Sequence, residues 1–158
     1  TLVSVNEDVI RGRLSYEGLA HRMQWVAEIS GVQFYNDSKA TNVGATAAAI
    51  SGLPAKCVLL LGGESKQQNF EILVDYIREK VRVVVLMGRD AKLIKRGIEG
   101  AGVDILDAAD LINAVQIAAQ LAEPGEIVLF SPACASFDMF DNYAHRGDMF
   151  ADAVRSLA

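Results

Sequence analysis

Little in this chain is suited to redox or metal chemistry. Its 158 residues include two cysteines, Cys57 and Cys134, and two histidines, His21 and His145. Neither cysteine belongs to a C-x-x-C pair or a metal-ligand spacing, so reduced thiols in a reducing compartment are the plainer reading. No apolar run approaches the roughly 20 residues that cross a bilayer, and no basic-then-apolar leader opens the chain. The expected compartment is therefore the cytoplasm, without membrane insertion. Basic residues form no block, and the net charge is −5 with a pI near 5.0. Phosphate-backbone binders display a basic stripe, so nucleic acid is not an expected partner, though a local pocket could take a small anion. The phosphate loop G-x-x-x-x-G-K-[ST] and the dinucleotide fingerprint G-x-G-x-x-G are both missing.

What the sequence does have is apolar mass. Hydrophobic residues make up 51% and the mean hydropathy is +0.22, which argues against disorder. A 17.0 kDa chain can bury a proper core as a single domain. Three runs, "CVLLLG" (57–62), "RVVVLMG" (82–88) and "EIVLFS" (126–131), are apolar on both faces, as strands inside a parallel sheet are. "VQFYND" (32–37) is a fourth strand candidate, "WVAEIS" (25–30) pairs with it through a Gly31 turn, and "VDIL" (103–106) is a weaker sixth.

Helical patterns lie between them. Thr41 or Asn42 is expected to cap a helix carrying Ala45, Ala48, Ala49 and Ile50, ended by Gly52-Leu53-Pro54. Further helices are expected over Phe70–Lys80, over Asp90–Ile98 with Leu93 and Ile94 inward, from an Asp107 cap through Leu121, and over Asn142–Leu157. The alternation predicts an α/β fold: an open, mostly parallel six-stranded sheet with helices on both faces.

Ligands of such sheets bind at the carboxyl ends of the strands. Four strand-following loops, "NDSKATN", "GGESK", "GRD" and "SPACASFD", therefore project to one rim. Together they bring Asp37, Ser38, Lys39, Thr41, Asn42, Lys66, Arg89, Ser131 and Ser136. Cations, hydroxyls and helix N-termini with free N–H groups describe a pocket for a small carboxylated or phosphorylated molecule. Each residue also has a plainer reading. Asp37 and Asn42 could simply cap the helix, Gly62-Gly63 could be a tight turn, and Arg89 a surface residue. Cys134 reads as packing, and His21 as a surface partner of Arg22 or a contact residue.

At this point a resemblance becomes specific. "GLAHRMQWV", "GVQFYNDSKATNVGATAAAI", "LLLGGESK", "GRD" and "LFSPACASFDMFDNYAHRGDMF" follow one another in order. From Gly18 to Phe150 they resemble the C-terminal domain of the Mur ligases, and within that family the branch that adds D-glutamate. The resemblance implies ATP-dependent amide formation in peptidoglycan synthesis. D-glutamate would be joined to UDP-N-acetylmuramoyl-L-alanine through an acyl phosphate. It implies that Lys66, Thr41, Ser136 and the backbone near Tyr143 hold D-glutamate, with Arg22 and Asp37 reaching the nucleotide. Lys39, Asn42 and Arg146 would support the pocket. Tyr143 departs from the Phe of some relatives, a change that a backbone contact would survive.

ATP and Mg²⁺ would be bound mainly by a central domain whose phosphate loop this sequence does not contain. On this reading residues 1–17 are the tail of an interdomain linker and 18–158 the amino-acid- and nucleotide-contacting domain. The chain alone would fold without catalysing, and the full enzyme would be monomeric. The competing expectations are a sister Mur ligase with another acceptor, a stand-alone anion-binding module, and a nicotinamide-dependent oxidoreductase. The missing G-x-G-x-x-G weakens the last.

Overall fold

Strands that are apolar on both faces need cover on both faces, and the topology provides it. The computed structural model describes residues 20–158, so the linker expected over 1–17 lies outside the described residues. Six strands form one sheet: β1 Gln24–Ile29, β2 Val32–Asn36, β3 Cys57–Gly62, β4 Val81–Met87, β5 Asp104–Asp107 and β6 Ile127–Phe130. Their order is β1-β2-β6-β3-β4-β5. β1 runs antiparallel to β2, and the remaining neighbours are parallel. The hairpin turns on Ser30 (φ 52) and Gly31 (φ 80), the double positive φ that a tight two-residue connection needs.

Helices α1 (Val43–Ser51), α2 (Val74–Lys80) and α3 (Ala91–Ile98) cover one face. Helices α4 (Leu111–Leu121) and α5 (Tyr143–Arg155) cover the other. Strand residues alternate between the two cores. Leu59, Leu61, Val84, Leu86 and Leu129 meet Ile50, Ile77 and Ile94, whereas Val58, Leu60, Val85, Val128 and Phe130 meet Val115, Phe150 and Val154. Each such side chain contributes about 1.5–3 kcal/mol by leaving water.

Three expectations needed correction. Leu93 is 42% exposed, because the buried stripe of α3 is Ile94 and Ile98, four apart on one helix face. Asp107 does not cap α4; it closes β5, opposite Leu86. The cap is Asp110, whose carboxylate accepts the Asn113 N–H at 2.8 Å. Finally, Phe70–Lys80 is not one helix: Phe70–Leu73 is a 3₁₀ turn that hands over to α2.

The last strand, β6, lies between β2 and β3. The chain leaves β2 in one direction and returns to its side from the other, so the carboxyl ends of β2, β6 and β3 stand together at a switch in strand order. Clefts open at such points.

Candidate functional site

The "NDSKATN" turn leaves β2 into this cleft, and its first three side chains each make hydrogen bonds that build it. Asn36 is fully buried; its Oδ1 accepts the Ser38 N–H at 3.1 Å. Its Nδ2 reaches Gly147 O at 3.2 Å and lies 2.9 Å from His21 Nδ1. Asp37 accepts the Met23 N–H at 3.0 Å on one oxygen and the Ser131 hydroxyl at 2.8 Å on the other. It therefore does not cap α1, contrary to the plainer reading of the sequence. Burial pushes its carboxyl up to about 6, against the opposing pull of the Ser131 and Met23 hydrogen bonds and the nearby Arg22 charge.

Ser38 donates its hydroxyl to Tyr143 O at 2.7 Å and accepts from Arg146 Nε at 3.0 Å. Arg146 is 1% exposed, and its other two arms go to Ser38 O (2.7 Å) and Cys134 O (2.9 Å). No ion pair of the described residues includes it. Burial pulls its pKa down to about 10, so it remains cationic at neutral pH. One guanidinium thus joins the loop after β2, the loop after β6 and α5.

Arg22, Met23, Asp37, Lys39, Ala40, Ala45, Ala48 and Ala49 line a cavity of about 350 Å³. The alanines of α1 are why it exists: larger side chains along that stripe would fill the space. Lys39 stands between this cavity and the neighbouring loops, its ammonium 5.3 Å from the centre of the Tyr143 ring. Thr41, Lys66, Ser136 and Tyr143 are not part of the lining; the first three sit on loops of the same rim and Tyr143 opens α5. Lys66 is exposed with a left-handed backbone (φ 50) and Ser136 is 2% exposed.

The rim is less generous to anions than its sequence suggests. Asn42 does cap α1, accepting the Ala45 N–H at 2.8 Å, and Gln68 Oε1 takes the Val43 N–H at 2.7 Å. Two donors of that helix start are therefore already engaged. Arg89 is paired outward with Glu64 (3.4 Å) and Asp90 (3.5 Å). Gly62 and Gly63 are required by contact rather than by any ligand. A Cβ at Gly62 would come within 1.8 Å of Met87 O, and one at Gly63 within 2.4 Å of Ala135 O.

His21 is not a surface residue. Its ring packs closely against Gly147, where a Cβ would lie 2.1 Å from Nδ1. Cys134 is buried and its thiol is pushed up to about 12, which suits packing and not nucleophilic attack. His145 accepts the Asp141 N–H at 3.1 Å and meets the Phe140 ring edge to face. Sequence reasoning did not single out Asn36, although it opens the quoted "NDSKATN" loop, and it missed Gln68 and Gly147 as parts of the site. Of these two, Gly147, a glycine inside a helical pattern, carried a signal that could have found it.

Residues 21–134 match the family described as "Mur ligase, glutamate ligase domain". The chain is 52% identical over 153 residues to the UDP-N-acetylmuramoylalanine–D-glutamate ligase of Thiobacillus denitrificans, covering 96% of this chain and 32% of that protein. It is 51% identical over 150 residues to the same-named ligase of Bordetella pertussis, covering 95% and 29%. The chain thus spans about a third of the length of these relatives. Among solved structures, UDP-N-acetylmuramate–alanine ligase from Thermotoga maritima superposes with a TM-score of 0.59 at 10% identity, covering 96% of this chain and 36% of that one. A domain from a UDP-N-acetylmuramate:L-alanyl-γ-D-glutamyl-diaminopimelate ligase of Haemophilus ducreyi gives 0.58 at 15% identity, over 87% of this chain and all of that one. At these identities the two structures speak for the fold alone.

Proposed function

The chain belongs to the Mur ligase family, and from that premise we propose that it supplies the amino-acid- and nucleotide-contacting domain of a D-glutamate-adding ligase. The observation that carries this reading is the two-part rim. A cavity edged by Arg22, Asp37 and Lys39 adjoins loops that carry the exposed Lys66, the half-buried Thr41 and the buried Ser136. Same-named relatives at about half identity over nearly the whole chain support the choice of amino acid.

D-glutamate brings two carboxylates, which call for charge-assisted donors. Lys66 supplies an ammonium, and Thr41 and Ser136 supply hydroxyls. The Tyr143 N–H lies at the first position of α5, where the helix itself offers no acceptor. Tyr143 is held there by its own carbonyl, which accepts from Ser38. A cavity of about 350 Å³ falls in the size range of small-molecule clefts. In it Arg22 faces nucleotide phosphate, and Asp37 faces ribose or base.

The domain's task is positioning. The D-glutamate amine must arrive neutral, close to the acyl carbon of activated UDP-N-acetylmuramoyl-L-alanine, and loops fixed on a rigid sheet supply that positioning. ATP supplies the activation of that carboxylate. On this reading Mg²⁺ accompanies ATP and is held mainly by the rest of the ligase.

The test is phosphate release by the full-length ligase containing this chain, with ATP, Mg²⁺ and UDP-N-acetylmuramoyl-L-alanine. Release should depend on D-glutamate and not on L-glutamate, L-lysine or meso-diaminopimelate. Dependence on another amino acid would overturn the specificity, and no release with any would overturn the ligase reading. Within an active ligase, Lys66→Ala should weaken D-glutamate binding by about 1.5–3 kcal/mol, read as KM, and leave ATP untouched. Asp37→Ala should do the reverse. An unchanged KM for D-glutamate would remove Lys66 from the site.

A further inference from the structure

We infer that Gln68 is the positioning residue that holds Lys66 in reach of D-glutamate; this rests on the reading of Lys66 given above. Gln68 lies just past the "GGESK" loop, yet its carboxamide is fully engaged. Oε1 accepts the Val43 N–H at 2.7 Å, and Nε2 donates to Ser65 O and to Ala133 O, both at 2.8 Å. These partners lie in three separate segments. Val43 opens α1 directly after Thr41 and Asn42, Ser65 precedes Lys66, and Ala133 belongs to the loop that carries Ser136. One side chain thus joins the three loops from which the D-glutamate donors project.

The segment between Ser65 and Gln68 needs such an anchor. Lys66 (φ 50) and Gln67 (φ 58) are consecutive left-handed residues with side chains, an arrangement that persists only when both flanks are fixed. Upstream, the Ser65 N–H is held by Asp90 at 2.7 Å, and Glu64 exchanges backbone hydrogen bonds with Ala135 at 3.0 and 2.9 Å. Downstream the anchor is Gln68. Between the anchors the Lys66 side chain is exposed, and no ion pair of the described residues includes it. Its ammonium is presented, not spent. The chemistry of the anchor is specific to glutamine: Glu would set a carboxylate against two carbonyls, and Asn is one methylene short.

The experiment compares Gln68→Ala, the near-isosteric Gln68→Met, Lys66→Ala and the Gln68→Met/Lys66→Ala double variant in the full-length ligase. Initial rates give KM for D-glutamate and for ATP. Either Gln68 variant should raise KM for D-glutamate about tenfold, with KM for ATP changed by less than about twofold. In the Lys66→Ala background, Gln68→Met should add less than about twofold, because its effect passes through the lysine. If Gln68→Ala fails to fold, Gln68→Met decides. Three results overturn the proposal while leaving Lys66 in place: an unchanged KM for D-glutamate in the Gln68 variants, an equal rise in both KM values, or full additivity in the double variant. A Lys66→Ala enzyme with normal KM for D-glutamate would instead overturn the reading beneath it.

Discussion

The two ends of the sheet handle buried charge in opposite ways. At the amino ends of the strands, Arg82 forks onto Glu126, Nε to one oxygen at 2.9 Å and Nη2 to the other at 2.8 Å. That hydrogen-bonded guanidinium holds the Glu126 carboxyl below its usual range, and the pair is locally neutral. At the carboxyl ends, Arg146 and Asp37 are both more deeply buried, yet neither has an ionic partner among the described residues. Carbonyls and hydroxyls satisfy the cation; an amide and a hydroxyl satisfy the anion. A pair at the foot closes the fold, whereas separated charges at the rim keep loops in register without cancelling the local field. Structure alone would favour the first arrangement. The second suits the proposed site for charged ligands.

The largest effect should come from Arg146→Met, which strips three hydrogen bonds and leaves two carbonyls without partners. Unfolding followed by circular dichroism should show a loss of about 4 kcal/mol and a Tm lower by about 10 °C. Arg82→Met, at a partly exposed pair, should cost about 1 kcal/mol. Equal losses at the two ends would break the comparison.

Asp37→Asn should act in the other direction. The native carboxyl titrates near 6 and an unfolded one near 3.8, so the folded state binds this proton more tightly. Stability from this group therefore falls as pH rises from about 3.8 to about 6, and the penalty is complete above that window. Asparagine can still accept from Met23 and meets Ser131 without a charge. Its Tm at pH 7.5 should exceed that of the parent by about 4 °C, and the gap should close by about pH 4. A gap that does not vary with pH would mean that the buried charge is not its source. Smallest of all, Arg89→Ala at an exposed cluster should leave Tm within about 1 °C of the parent, and a larger drop would extend the rim's charge design to its edge.

The sheet was legible in the sequence because its strands are apolar on both faces, a pattern few other structures produce. The rim loops were legible for the same reason, since each follows such a run. What stayed hidden depended on contacts between distant segments. Asp107 and Asp110 are equivalent as N-caps until the length of β5 decides between them. Leu93 and Ile94 are equally apolar, and only the direction of α3 separates them. Nothing near Gln68 in sequence announces Val43 or Ala133. For His21 the sequence left a surface pair with Arg22 and a contact role equally open, and a glycine on the last helix decides between them.

The position of β6 also sets an order in time. Asp37 meets its Ser131 partner 94 positions further along the chain, and Arg146 reaches back across 108 to Ser38. During synthesis the β1–β2 hairpin must wait, edge exposed, until β6 arrives to join it to β3. Long-range pairings of this kind close slowly and late. The rim is then the last part of the domain to form, and in a nascent chain it stays incomplete until α5 has docked.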